Sequence, residues 1–292
     1  MVTRGVKGGF RAVLIACLLC LAGCSGTTMV YNRLDTILAW YLDDYVELSA
    51  PQEQQLDSTL RPFLSWHRQQ ELPRYVGILD KIDADLDQPL TTRDIESIYT
   101  DVEVAWLRLE EESLGWLLEL GATLTDAQVE GFLAYLQEKQ QEYEEKYLSR
   151  SETEYRAESY DSFADNLGDY LGRLTPEQRE RLQGAVDALE RSDAIWLKER
   201  AAWLERLAEV MQRQPGWQEK VRTMLAQRSE TLSPEYQQIF DHNLEVIFGA
   251  VAEVLNTRTE TQDRRLRKKL GGLRDDLQTL IAQGETAPAE AG

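Results

Sequence analysis

His67 and Glu71 stand four residues apart, a spacing that puts both side chains on one face of a helix. An imidazole and a carboxylate so placed could offer two ligands to a metal ion or work together in proton transfer. A metal site would need one or two further ligands, and no HExxH-type signature accompanies the pair. The structural alternative, a local hydrogen-bond or ion-pair cluster, needs nothing more and is preferred. The only other histidine, His242, is far away in sequence. Asp43 and Asp44 are adjacent, whereas acid–base carboxylate pairs face each other across a cleft.

Glu110-Glu111-Glu112-Ser113 contains a Glu-Ser pair of a kind used in glycan cleavage, but a chain with 51 acidic residues is expected to contain one by chance. GxSxG, P-loop and dinucleotide fingerprints are absent. No catalytic residue and no metal site is therefore assigned. The leading reading is a non-enzymatic binding or scaffolding protein. The alternatives are a carboxylate-dependent cell-wall (peptidoglycan) enzyme acting near His67 and Glu71, and a carrier of an apolar ligand between helices.

The cysteines carry a different chemistry. Arg4, Lys7 and Arg11 precede the apolar run AVLIACLLCLAG at residues 12–23. That run is too short to span a bilayer and reads as the apolar part of a signal peptide. Cys17 and Cys20 fall inside it, and Cys24 closes Leu21-Ala22-Gly23-Cys24, the pattern of a bacterial lipobox. Cleavage before Cys24 would leave a sulfur for diacylglycerol and an amino terminus for a further acyl chain such as palmitate. More than one chain is what stable anchoring requires. No cofactor is expected beyond that covalent lipid. Ser25 stands where Asp would signal retention at the inner membrane, so the expected location is the outer membrane, facing the periplasm.

Charge narrows the partners. Lys and Arg number 32 against 51 Asp and Glu, a net of −19, and removal of residues 1–23 makes the balance more negative still. Such a body repels nucleic acid and anionic leaflets. The membrane through the lipid anchor, and envelope proteins or peptidoglycan, are the partners expected. Two stretches stand out as surfaces for them. Residues 137–160 alternate charge with tyrosine and could project as a charged rod carrying Tyr143, Tyr147 and Tyr155, unless those rings cover a core edge. Residues 264–269 place Arg264, Arg265, Arg267, Lys268 and Lys269 in six positions, on a helix whose apolar side is Leu266, Leu270, Leu273, Leu277 and Leu280. That basic face could meet headgroups or an acidic partner, or lie on the protein's own acidic surface.

The elements that must position these residues are helical. Leu followed by Ser or Thr and a helix-opening triplet recurs at Ser49, Thr91, Thr125, Thr175 and Ser233, with Gln52, Gln128 and Gln178 at the third helical position as a capping box wants. Apolar residues then keep helical period, and no stretch alternates as a strand. Asp193 and Arg200 interrupt one apolar stripe and read as its solvated edge. Pro62, Pro73 and Pro215 predict bends or breaks. The expectation is an all-α, bundle-like array of antiparallel helices, some long or kinked. Residues 1–23 form a signal peptide, 24–29 a short tether, 30–282 a single helical domain and 283–292 a disordered tail.

The lipobox ending at Cys24, Tyr31-Asn32-Arg33-Leu34-Asp35, Trp40-Tyr41-Leu42-Asp43-Asp44-Tyr45-Val46, Trp66-His67-Arg68, Glu71-Leu72-Pro73-Arg74-Tyr75 and Leu174-Thr175-Pro176-Glu177-Gln178 together resemble a family of uncharacterised proteobacterial lipoproteins, defined as a domain of unknown function. The resemblance covers most of the chain after Cys24 and is sharpest over residues 21–75. It implies a helical lipoprotein and brings no catalytic roles with it.

Overall fold

The computed structural model describes residues 26–286. The signal-peptide segment, Cys24 and residues 287–292 lie outside the described residues. The elements run α1 (Gly26–Tyr31), α2 (Leu34–Asp43), α3 (Ala50–Trp66), a π-turn (His67–Glu71), α4 (Leu72–Asp85), α5 (Thr92–Thr123), α6 (Asp126–Leu148), α7 (Glu152–Leu171), α8 (Pro176–Ala188), α9 (Asp193–Val210), α10 (Trp217–Ala226), α11 (Pro234–Asn256) and α12 (Glu260–Thr286). Among the described residues there is no strand, as the helical periodicity requires.

All five expected helix starts are N-caps: Ser49, Thr91, Thr125, Thr175 and Ser233. At Thr125 the hydroxyl accepts from the Gln128 N–H, and Gln128 Oε1 accepts from the Thr125 N–H at 2.8 Å. Two orphan donors are thereby satisfied. Two further boxes, Ser151 with Glu154 and Thr259 with Gln262, lack the preceding leucine and so escape the sequence pattern.

α12 packs along α4 and α7 and reaches α1, while α11 lies on α5 and α8. Between these helices sits the main core, which includes Leu72, Leu182, Val254 and Leu280. Leu280 and Val254 are fully buried, each contributing about 1.5–3 kcal/mol. α5 extends past this core. Its far end meets α3 at Leu56, Leu60 and Leu120, and meets α10 at Leu118, Trp217 and Val221. α9 lies on α6.

Several expectations change. The tether expected over 24–29 is helical from Gly26, because Thr27 and Tyr31, one turn apart, are both buried. α12 continues through the start of the expected tail to Thr286. No rod spans 137–160: the chain turns at Ser149, and Ser151 caps a new helix. The prolines fall as expected: Pro62 lies inside the helical run of α3, and Pro73 follows directly on the π-turn that interrupts the helix between α3 and α4.

Candidate functional site

Pro73 explains the π-turn. It has no N–H for the Gln69 carbonyl, and its ring crowds that oxygen. One wider turn relieves the clash, with the Leu72 N–H bonding five residues back to the His67 carbonyl. Such turns recur at functional sites. Here the turn carries both residues singled out by spacing, His67 and Glu71, and directs both inward.

Glu71 is fully buried. Arg108 from α5 grips it at two points, Nε on Oε1 at 2.8 Å and Nη2 on Oε2 at 2.7 Å. Arg74, one turn along, donates to Oε1 as well. Although burial alone would raise the Glu71 carboxyl pKa, the hydrogen bonds and charges of Arg108 and Arg74 outweigh it and hold the group below the usual glutamate value. Glu71 is a fixed anion between two cations. A metal ion there would have to displace the guanidinium of Arg108 from both oxygens.

His67 is buried beside it, and its Nδ1 lies 2.7 Å from the Tyr31 hydroxyl. Burial lowers the His67 pKa to about 4, despite the opposing pull of Glu71. Burial likewise raises Tyr31 to about 12. Both are neutral at neutral pH, and the imidazole tautomer sets which of the two donates in their hydrogen bond. The Tyr75 ring meets His67 edge-on at 5.5 Å, and its hydroxyl is buried with no hydrogen-bond partner. Burial pushes the Tyr75 hydroxyl well above its ordinary range.

Residues from α1 and from the last turns of α12 close over this cluster. Arg68 lies over the Tyr31 ring at 5.1 Å and donates to Asn32 Oδ1, while Asn32 Nδ2 donates to Gln283 Oε1 at 3.1 Å. Gly284 makes room, since a Cβ there would sit 2.7 Å from Arg68 Cδ. The result is a latch joining α1, the π-turn and the end of α12. Spacing alone identifies His67 and Glu71. It gives no hint of Tyr31 or Arg108, which come from 36 and 37 residues away.

Of the two readings of the tyrosines, the core-edge one holds and the projecting rod does not. Tyr147 and Tyr155 are buried, and Tyr143 and Tyr147 both pack on Trp196 of α9. Arg150 lies over Tyr147 at 4.6 Å and over Tyr155 at 5.6 Å. Asp193 is not at a solvated edge: Arg150 grips both its oxygens and Arg191 bonds one. Arg200 stacks over Tyr143 at 5.0 Å and donates to Gln140. This is a packed cation–aromatic joint, not a free surface.

The basic stretch divides. Arg267 faces inward to Asp83, Asp87 and Asp263, with Arg274 following on Asp80, so part of the basic face lies on the acidic side of α4. Lys269 lies over Tyr170, and the Arg265 side chain passes within 3.3 Å of the Cβ position of Gly172, a glycine held at φ +79°. Arg264 and Lys268 are exposed, as is Arg265. Two open depressions complete the surface. One, of about 460 Å³, is lined by Arg258, Asp263 and Arg264, and the other, of about 490 Å³, by Arg181, His242 and Glu245. Among the described residues no three His, Cys, Asp or Glu converge as a metal site, and no helix is long and apolar enough to cross a membrane.

A family model described as a family of unknown function, DUF6279, matches residues 44–237, about two thirds of the chain. No curated protein and no solved structure matches it.

Proposed function

We propose, from the premise that this chain belongs to the DUF6279 family, that it is a lipid-anchored, non-enzymatic binding or scaffolding component of the bacterial envelope. Cys24 carries the diacylglycerol and acyl chains, and the body faces the periplasm from the outer membrane. In this reading the chain is one of the proteobacterial lipoproteins that its lipobox and the Tyr31–Asp35, Trp66–Arg68 and Glu71–Tyr75 motifs resemble.

The observation that carries the non-enzymatic part is the state of Glu71. Its oxygens are occupied by Arg74 and Arg108, its pKa is depressed, and its neighbour His67 is neutral down to about pH 4. Neither titrates near neutral pH, where an efficient general acid or base is poised. The lipobox supports the anchor. The exposed side chains of Arg264, Arg265 and Lys268 supply a basic patch on an acidic protein, suited to an acidic envelope partner.

Labelling with an acyl-chain probe should mark the wild type and not Cys24→Ala; equal labelling removes the anchor. Photo-cross-linking from Arg264 and Lys268 positions should capture a discrete envelope partner. Digestion of purified sacculi, lost on Glu71→Gln, would replace this reading with the cell-wall enzyme.

A further inference from the structure

We infer that the outer face of α1 and α2 docks flat on the surface of a zwitterionic bilayer, so that the membrane contact is a protein surface as well as an acyl anchor. The inference rests on the anchoring reading above and adds the residues that touch lipid.

Three of the seven large apolar side chains that are exposed among the described residues fall within the first fifteen of them: Met29, Val30 and Trp40. Trp40 is 71 % exposed and Met29 64 %. α2 has no buried residue, although it is apolar enough to be a core helix. Only one side is occupied, with Leu38, Ala39 and Leu42 packed on the cluster around Leu56 and Leu60. Trp40 stands on the side turned away, with the exposed Arg33 seven residues before it, the half-buried Ile37 three before it, and the exposed Asp43 and Asp44 three and four after it. A tryptophan set among an arginine and acidic side chains matches the headgroup layer, where an indole keeps one edge wet and a guanidinium meets phosphate.

Position selects the occupant. The apolar run of residues 12–23 and Cys24 immediately precede Gly26. At about 3.5 Å per residue, Cys24 lies no more than about 7 Å from the start of α1. Anchored there, Met29 and Val30 sit at the headgroups. Charge selects the lipid. Asp43 and Asp44 share the face with Trp40, Asp35 lies to one side, and all three are exposed, so an anionic leaflet would repel it and a zwitterionic one would not.

The test uses the full chain bound to phosphatidylethanolamine–phosphatidylcholine vesicles with acyl chains brominated near the headgroup. Tryptophan emission should fall relative to unbrominated vesicles, and Trp40→Phe should remove most of that fall while co-sedimentation stays unchanged. Trp106→Phe, which alters a buried ring, should leave the fall intact. Co-sedimentation with no Trp40-dependent quenching overturns the docking and leaves the anchor standing. Failure to co-sediment overturns both. Efficient Trp40→Cys disulfide dimers on the vesicle, without quenching in the wild type, would assign the face to a second copy and overturn the lipid contact.

Discussion

Glu71 and Arg108 meet through two parallel contacts, 2.8 Å and 2.7 Å, across a span of 37 residues. The pair ties the π-turn to the middle of α5. The carboxylate is fully buried, whereas the Arg108 side chain keeps 28 % exposure. That asymmetry decides the mutations. Arg108→Met strands a buried anion with only the half-exposed Arg74 beside it, and should destabilise the fold by about 3–5 kcal/mol. Arg108→Lys keeps the charge but cannot reach both oxygens, and should fall between Met and wild type. Glu71→Gln should cost less than Arg108→Met, because Arg108 can turn to water. Urea unfolding orders the three.

Acid should unfold this joint from the carboxylate side. The folded pKa of Glu71 is depressed, so its contribution is fully present above the ordinary glutamate value and is lost as pH falls through the folded value. Glu71→Gln should remove that part of the acid transition. A melting profile below about pH 4.5 whose slope is the same in Glu71→Gln and wild type would contradict the assignment.

His67 titrates in a higher window. Its pKa falls from 6.5 unfolded to about 4 folded, so the unfolded chain binds the extra proton between those values. Stability from neutral His67 is complete above pH 6.5 and declines as pH drops toward 4, by roughly 2–4 kcal/mol in all. His67→Gln should flatten unfolding free energy across that window. Tyr31→Phe removes the hydroxyl that faces Nδ1, should cost about 1–3 kcal/mol at pH 7, and should raise the His67 pKa if it lets water in. NMR titration of the imidazole reads the shift directly.

The tyrosines of α6 and α7 should behave as core. Tyr147→Ala should cost about 3–5 kcal/mol, as loss of a buried ring does. Chemical modification should spare Tyr147 and Tyr155 in the native protein. Rapid nitration of Tyr155 at native stability would mean that the turn at Ser149–Ser151 opens and exposes the helix.

What could be read from sequence was local. Each of the five caps is visible because a hydroxyl acts within its own turn, and in four of them Gln52, Asp94, Gln128 or Gln178 adds an acceptor three residues on. The stripe Leu266, Leu270, Leu277 and Leu280 is visible for the same reason, and all four are buried. For the tyrosines the core edge was legible but its cover was not, because Arg150, Arg191 and Trp196 lie over Tyr147 and Tyr155, and nothing in a charged stretch shows which charges fold back over its rings. His67 and Glu71 declare themselves by spacing, but their partners arrive from other helices. Thr259-Glu260-Thr261-Gln262 carries the same capping signal as the other boxes and lacks only the leucine before it.

That last box has a consequence for stability. Gln262 and Gln178, each the third residue of its helix, exchange amide hydrogen bonds at 2.9 and 3.0 Å. Gln178 is fully buried, and its Nε2 also lies 3.3 Å from the carbonyls of Val254 and Thr257. Gln52 and Gln128 form a second such pair, joining the starts of α3 and α6. Each pair locks together two helix N-termini whose dipoles repel. Removal of one amide costs the other both shared hydrogen bonds, leaving Gln178 its two carbonyls and the Thr175 N–H, or Gln262 the Arg173 carbonyl and the Thr259 N–H. Gln178→Leu should cost about 2–3 kcal/mol, and Gln262→Leu somewhat less, since the first strips a donor from two backbone carbonyls and the second from one. The double variant should cost less than the sum, with a coupling of about 1–2 kcal/mol. Chemical denaturation of the four proteins measures it. Additive losses would mean that each glutamine serves only its own cap, and that the junction is held by the surrounding leucines alone.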